Sequence, residues 1–169
     1  MNEQDELAQK RDAIIGRIKQ VFPKKPVTKG KKGVKITQGR SDYSSRKLIE
    51  MFEGKQWEDM VAYPGIVYYL SDIDYLRAIT DKAYRYFQPA FLVATLKEPS
   101  AWIYTSNPLE KIYSFGSQFN LDELDAMIAY FEYQIEYREL FGGGLTYEFE
   151  NMLLHLLFRR DELAKEWAK

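Results

Sequence analysis

The chain has 169 residues, of which 46% are hydrophobic and 15% aromatic, enough apolar mass for a packed core and too much for a disordered chain. It contains no cysteine, which excludes disulfides, thiolate metal sites and cysteine nucleophiles and fits a reducing compartment. The net charge of -1 hides a polarity: residues 1–47 carry 13 Lys/Arg against 5 Asp/Glu, and residues 48–169 carry 11 against 20. The charged N-terminus lacks the apolar run of a secretory signal, and no apolar run approaches the roughly 18–20 residues of a membrane span. A cytoplasmic protein without a membrane segment is the expectation.

Taken in order, residues 3–20 read as a helix with Leu7, Ile14, Ile15 and Ile18 near one face, ended by Val21-Phe22-Pro23. Lys24 to Arg40 holds seven basic residues and no acidic one, with Pro26 and three glycines, so residues 23–41 read as a Lys/Gly-rich loop or arm. Val34 to Thr37 alternates as a short edge strand does. Ser41 or Asp42 can cap a second helix to Glu53, with Tyr43, Leu48, Ile49 and Phe52 inward and Gly54 as its stop. Trp57 falls in a short polar segment, and Pro64 suits the first turn of a third helix bearing Ile66, Val67, Tyr69 and Leu70.

Residues 79–96 form the most apolar long segment, and their spacing predicts a central helix apolar around most of its circumference. Thr80 is its expected N-cap, and Pro89 predicts a kink or break near residues 85–89. A short helix is expected from Asn107-Pro108, bearing Leu109, Ile112 and Phe115. Asp122 with Asp125 resembles an acidic capping box for a long helix whose core face is Leu124, Met127, Ile128, Phe131 and Ile135. Gly142-Gly143-Gly144 reads as a hinge. Thr146 is the expected cap of a last helix striped by Phe149, Met152, Leu153, Leu156, Leu157 and Leu163. The expected fold is all-α: a single-domain, irregular bundle of about six or seven helices around the proline-bearing one.

The middle of the chain resembles an uncharacterised family of small bacterial proteins, a domain of unknown function, over roughly residues 42–137. The features that carry the resemblance are Leu48 to Phe52, Gly54, Trp57, the helix around Phe131-Glu132-Tyr133 and, above all, Thr80-x-x-Ala83-Tyr84-Arg85-Tyr86-Phe87-x-Pro89-Ala90-Phe91-Leu92. The resemblance implies an all-α fold and a bacterial or phage setting. It implies no activity and transfers no catalytic residue. The basic arm and the helix after the glycines lie outside it.

No constellation for chemistry stands out. His155 is the only histidine and has no cysteine or second histidine to share a zinc site, so a helix-face residue with local hydrogen bonds is expected. The carboxylate groups Glu58-Asp59, Asp72-x-Asp74, Asp122-Glu123-x-Asp125 and Glu148-x-Glu150 match no calcium loop. The triple glycine lacks the strand and the Lys-Ser/Thr ending of a phosphate loop. No catalytic residue, metal or cofactor is therefore assigned.

Three features point to partners. Arg85, between Tyr84 and Tyr86, must meet solvent, a carboxylate or a ring. Tyr130, Tyr133 and Tyr137 recur on a face apart from the core stripe, where tyrosine suits an interface unless another helix covers it. Lys24, Lys25, Lys29, Lys31, Lys32, Lys35 and Arg40 form a basic arm suited to phosphates. The leading reading is a non-enzymatic protein-binding module of inhibitor or immunity-like kind, using Tyr130, Tyr133, Tyr137 and Arg85 on a basic partner. The alternatives are nucleic-acid binding through residues 24–40, and an enzyme with a pocket near Arg85.

Overall fold

A computed structural model describes residues 2–24, 34–39, 41–63, 65–102, 107–115 and 118–167, and these form an all-α fold. Among the described residues there are nine α-helices: α1 (Glu3–Val21), α2 (Tyr43–Phe52), α3 (Trp57–Met60), α4 (Ile66–Tyr69), α5 (Ile73–Ala78), α6 (Asp81–Lys97), α7 (Asn107–Phe115), α8 (Leu121–Phe141) and α9 (Thr146–Trp167). A 3₁₀ turn, Pro99–Trp102, follows α6. No helix among them is long and apolar enough to cross a membrane. The chain groups into two compact units, one of residues 1–21 and 96–169 and one of residues 22–95.

The second unit is built on α6. Thr80 caps this helix as its sequence position predicts: its Oγ1 accepts the Ala83 amide at 3.1 Å. The same hydroxyl donates to the Lys35 carbonyl at 2.6 Å, and the Thr80 amide donates to the Ile36 carbonyl at 2.8 Å. The edge strand expected at Val34–Thr37 is thereby reduced to a single antiparallel bridge between Thr37 and Ile79. Pro89 does not break α6, which runs unbroken from Asp81 to Lys97. An internal proline costs about 3 kcal/mol or more, and here it sits in a run, Tyr86 to Val93, that is buried throughout. That burial holds the helix together across the lost hydrogen bond.

Around α6 several expectations change. Asp42 caps α2 through the Ser45 amide at 2.8 Å, and Gly54, at φ +71°, ends it. This register leaves Tyr43 62% exposed, contrary to the inward position its apolar spacing suggested, and turns Ser45, Leu48, Met51 and Phe52 inward. Phe52 packs on Phe87 with ring centroids 4.5 Å apart. Trp57 is no part of a polar linker. It opens α3, is fully buried, and donates its indole N–H to the Pro23 carbonyl at 2.9 Å.

In the first unit α8 is the hub, packed by α1 on one side and α9 on another. Its cap is Asn120, not Asp122. Asn120 Oδ1 accepts the Glu123 amide at 2.9 Å while Glu123 Oε2 accepts the Asn120 amide at 3.0 Å. Glutamate spans that return path, and aspartate is one methylene short. Asp125 instead accepts Arg17 of α1 at 3.2 Å and Arg160 of α9 at 2.6 Å, a surface tie across three helices.

The triple glycine forms the reversal between α8 and α9. Gly142 and Gly143 take φ +79° and +146°, and a Cβ on Gly143 would lie 3.0 Å from Arg138 Cγ. Leu145 completes the turn at φ +69°, so α9 starts at Thr146 with Leu145, not Thr146, in the capping position. Phe149, Met152 and Leu156 of α9 are buried, while Leu157, expected in the stripe, is 39% exposed.

Candidate protein-interaction surface

The tyrosines of α8 are inside the first unit. Tyr130 is fully buried and its hydroxyl accepts the Trp102 indole N–H at 2.5 Å. Tyr133 is 3% exposed; burial raises its phenol pKa, and Arg11 of α1 acts in the opposite direction. Lys10 of α1 pairs with Glu136 one turn away. Tyr137 is half-buried, its ring 6.3 Å from Tyr133 and 4.9 Å from Phe141. The second face that these residues mark on α8 is thus the one that α1 and Trp102 cover, which corrects its reading as a free binding surface. α8 is apolar around most of its circumference, and such a helix needs cover on several sides.

Arg85 is half-buried and already engaged with a neighbouring group. The arginine with the larger structural task is Arg138, which sequence reasoning did not single out. It is 7% exposed, and its guanidinium donates to the Gly144 carbonyl at 3.0 Å, to Gln134 Oε1 at 2.6 Å, to the Gln134 carbonyl at 3.0 Å and to the Pro99 carbonyl at 3.4 Å. It also lies over the Phe149 ring, 4.5 Å from its centroid. Burial pushes its pKa down from the usual arginine value, and a guanidinium stays charged through such a shift.

Of the basic arm, Lys25, Lys29, Lys31, Lys32 and Arg40 lie outside the described residues. Lys24 and Lys35 anchor its ends to the second unit through their backbones. The Lys24 carbonyl accepts the Tyr86 hydroxyl at 2.9 Å, and the Lys35 carbonyl accepts Thr80. The Lys24 ammonium lies 3.9 Å from Glu58.

The His155 ring stacks on Tyr113 of α7 at 4.0 Å, and its Nε2 is buried without the expected hydrogen-bond partner among the described residues. Burial first, then the charge of Arg159, lower its pKa. Among the described residues no group of three His, Asp or Glu side chains is arranged to hold a metal ion.

An exposed tyrosine cluster does exist, on the second unit. Asp42 at the start of α2 sets Tyr43 outward, Gly65 at φ +85° opens α4 with Tyr68 and Tyr69, and Asp72 caps α5 through the Asp74 amide at 3.0 Å and so places Tyr75. The rings of Tyr68, Tyr69 and Tyr75 meet edge-to-face, with centroids 5.4, 5.7 and 4.7 Å apart. Tyr75 is buried beneath, Tyr69 is half-buried, and Tyr68 is 55% exposed. Tyr43 is close enough for its phenol to raise that of Tyr75, although burial is the larger cause.

Two carboxylates border this cluster. The charge of Asp72 is the main cause of the raised Tyr68 phenol pKa. Neither Asp72 nor Asp74 has a cation within ion-pair distance among the described residues, whereas Lys47 nearby is neutralised by Glu50 at 3.0 Å. The sequence signal for the cluster was the density of tyrosine between residues 63 and 75; helical spacing obscured it by treating Tyr43 and Tyr69 as core. No protein-family model, curated protein or solved structure matches the chain.

Two measurements check this assignment. Tyr130→Ala and Tyr133→Ala should each cost about 3–5 kcal/mol in denaturant unfolding. Tyr43→Ala and Tyr68→Ala, away from the core, should stay within about 1 kcal/mol. The second measurement concerns pH. Unfolded His155 titrates near 6.5 and the folded form lower, so below about pH 6.5 the unfolded chain takes up its proton first. Stability should fall as pH drops from 6.5 toward the folded pKa, and His155→Phe should flatten that part of the profile by keeping a ring without the proton.

Proposed function

We propose that the chain is a non-enzymatic protein-binding module of inhibitor or immunity-like kind, of bacterial or phage origin and acting in the cytoplasm. The observation that supports this reading most directly is the surface cluster of Tyr43, Tyr68 and Tyr69 beside Asp72 and Asp74. Tyrosine contributes area with little conformational entropy to lose and keeps a hydroxyl for hydrogen bonding, which is why it recurs at interface centres. The rings of Tyr69 and Tyr75 pack on Tyr68 and hold it in place before a partner arrives, so less ordering is needed on binding. Carboxylates without a cation favour a basic partner surface and raise its rate of encounter. The mechanism is steric: the module covers the partner's working face.

The test is affinity capture from host extract with the tagged chain and with a Tyr43→Ala/Tyr68→Ala double variant, washed at low and then high salt. A stoichiometric protein should survive high salt on the wild type, and the double variant should bind it roughly a hundredfold or more weakly. Equal retention by both would remove the cluster as the binding surface. Nucleic acid released as salt rises would shift the function to the basic arm.

A further inference from the structure

Gln88 stands in the middle of α6, one residue before Pro89, and is fully buried. A carboxamide offers two N–H donors and an acceptor oxygen. In Gln88 neither Nε2 nor Oε1 has a hydrogen-bond partner among the described residues. The whole polar head of this side chain therefore lies in the interior of the most apolar helix without a match among the described residues. Buried amides are hydrogen-bonded in the great majority of native structures, and each exception calls for a reason. A leucine or methionine would fill similar volume without needing a partner.

The surroundings on α6 name the size and kind of that partner. Helical side chains lean toward the N-terminus, which directs the Gln88 head to the turn that contains Tyr84 and Arg85. Tyr84 is fully buried one turn earlier on the same face and carries a hydroxyl. Residue 89, being proline, supplies no amide hydrogen to the carbonyl one turn before it. Two buried polar side chains, Tyr84 and Gln88, thus fall one turn apart on one face of α6. A residue with no exposed surface admits no extended ligand, and an unmatched buried carboxamide fits water, which takes two to four polar partners when buried.

We propose that Gln88 anchors an internal hydration site on α6, its carboxamide donating to and accepting from ordered water at the turn before Pro89. The site does not depend on the binding role assigned to the tyrosine surface.

The test is made on the full-length chain in solution. In ¹⁵N-labelled protein, the Gln88 side-chain amide protons should show direct cross-relaxation with water whose sign marks long residence. In water-¹⁷O relaxation dispersion, the number of long-lived internal waters should fall by at least one in Gln88→Met. Absence of the cross-relaxation, or an unchanged water count in a folded Gln88→Met, would overturn the site. Where the variant fails to fold, the wild-type cross-relaxation alone decides.

Discussion

The first unit depends on a buried positive charge that no carboxylate among the described residues neutralises. Arg138 places its guanidinium among the carbonyls of Pro99, Gln134 and Gly144, the Gln134 side chain and the face of Phe149. These groups belong to the 3₁₀ turn, to α8, to the reversal after it and to α9. A guanidinium suits this position because its five N–H groups fan out in a plane and can meet several fixed acceptors at once. Hydrogen bonds to a charged group are about twice as strong as neutral ones. The glycines then follow from the arginine: a Cβ at Gly143 would press on Arg138 Cγ, and the left-handed backbone at Gly142 brings the chain round to present the Gly144 carbonyl. The surface ties at Asp125 and Lys10 are exposed on at least one side, and such pairs contribute about 1 kcal/mol at most.

Tyrosine has two opposite uses in this chain, and local packing separates them. On α8 the rings of Tyr130 and Tyr133 are buried; the Tyr130 hydroxyl accepts the Trp102 indole N–H, and the Tyr133 phenol lies within the electrostatic reach of Arg11 and Asp12 of α1. On the second unit the short helices α4 and α5 cannot each bury a full apolar stripe. Their tyrosines pack on one another instead and leave Tyr68 at the surface. The first arrangement is a core with polar tips; the second is a surface with preset rings. Side-chain chemistry alone does not distinguish them.

That distinction marks where the sequence was legible. Features set within a few residues read correctly: the Thr80 cap, Asp42 as one of two candidate caps, the Gly54 stop, the buried α6, the core face of α8 at Leu124, Met127, Ile128 and Phe131 though not fully at Ile135, and the all-α class. Each depends on helical period or on a side chain reaching its own backbone. Features set by distant partners did not read. Trp57 looked polar because its neighbours are, yet its partner is Pro23, 34 residues away. Tyr130, Tyr133 and Tyr137 suited an interface unless another helix covered them, and which helix would do so is not written in their spacing: α1 and Trp102 do. Arg85 drew attention for its apolar neighbours, while Arg138, in a plain Tyr-Arg-Glu context, holds the turn. Pro89 read as a kink or break, and the break is absent because burial, which outweighs the lost hydrogen bond, is not a local property.

The most direct test of the role given to Arg138 is native-state hydrogen exchange of the α8 and α9 amides in Arg138→Met, compared with the wild type. Methionine keeps most of the side-chain volume and removes the charge, leaving the Gly144 carbonyl and Gln134 Oε1 without their donor. The expected result is a fall of about 3 kcal/mol or more in the opening free energy of both helices, the scale for removing one partner from a buried charged network. Protection unchanged within about 0.5 kcal/mol would contradict the account and leave the α8–α9 hairpin resting on its apolar contacts alone.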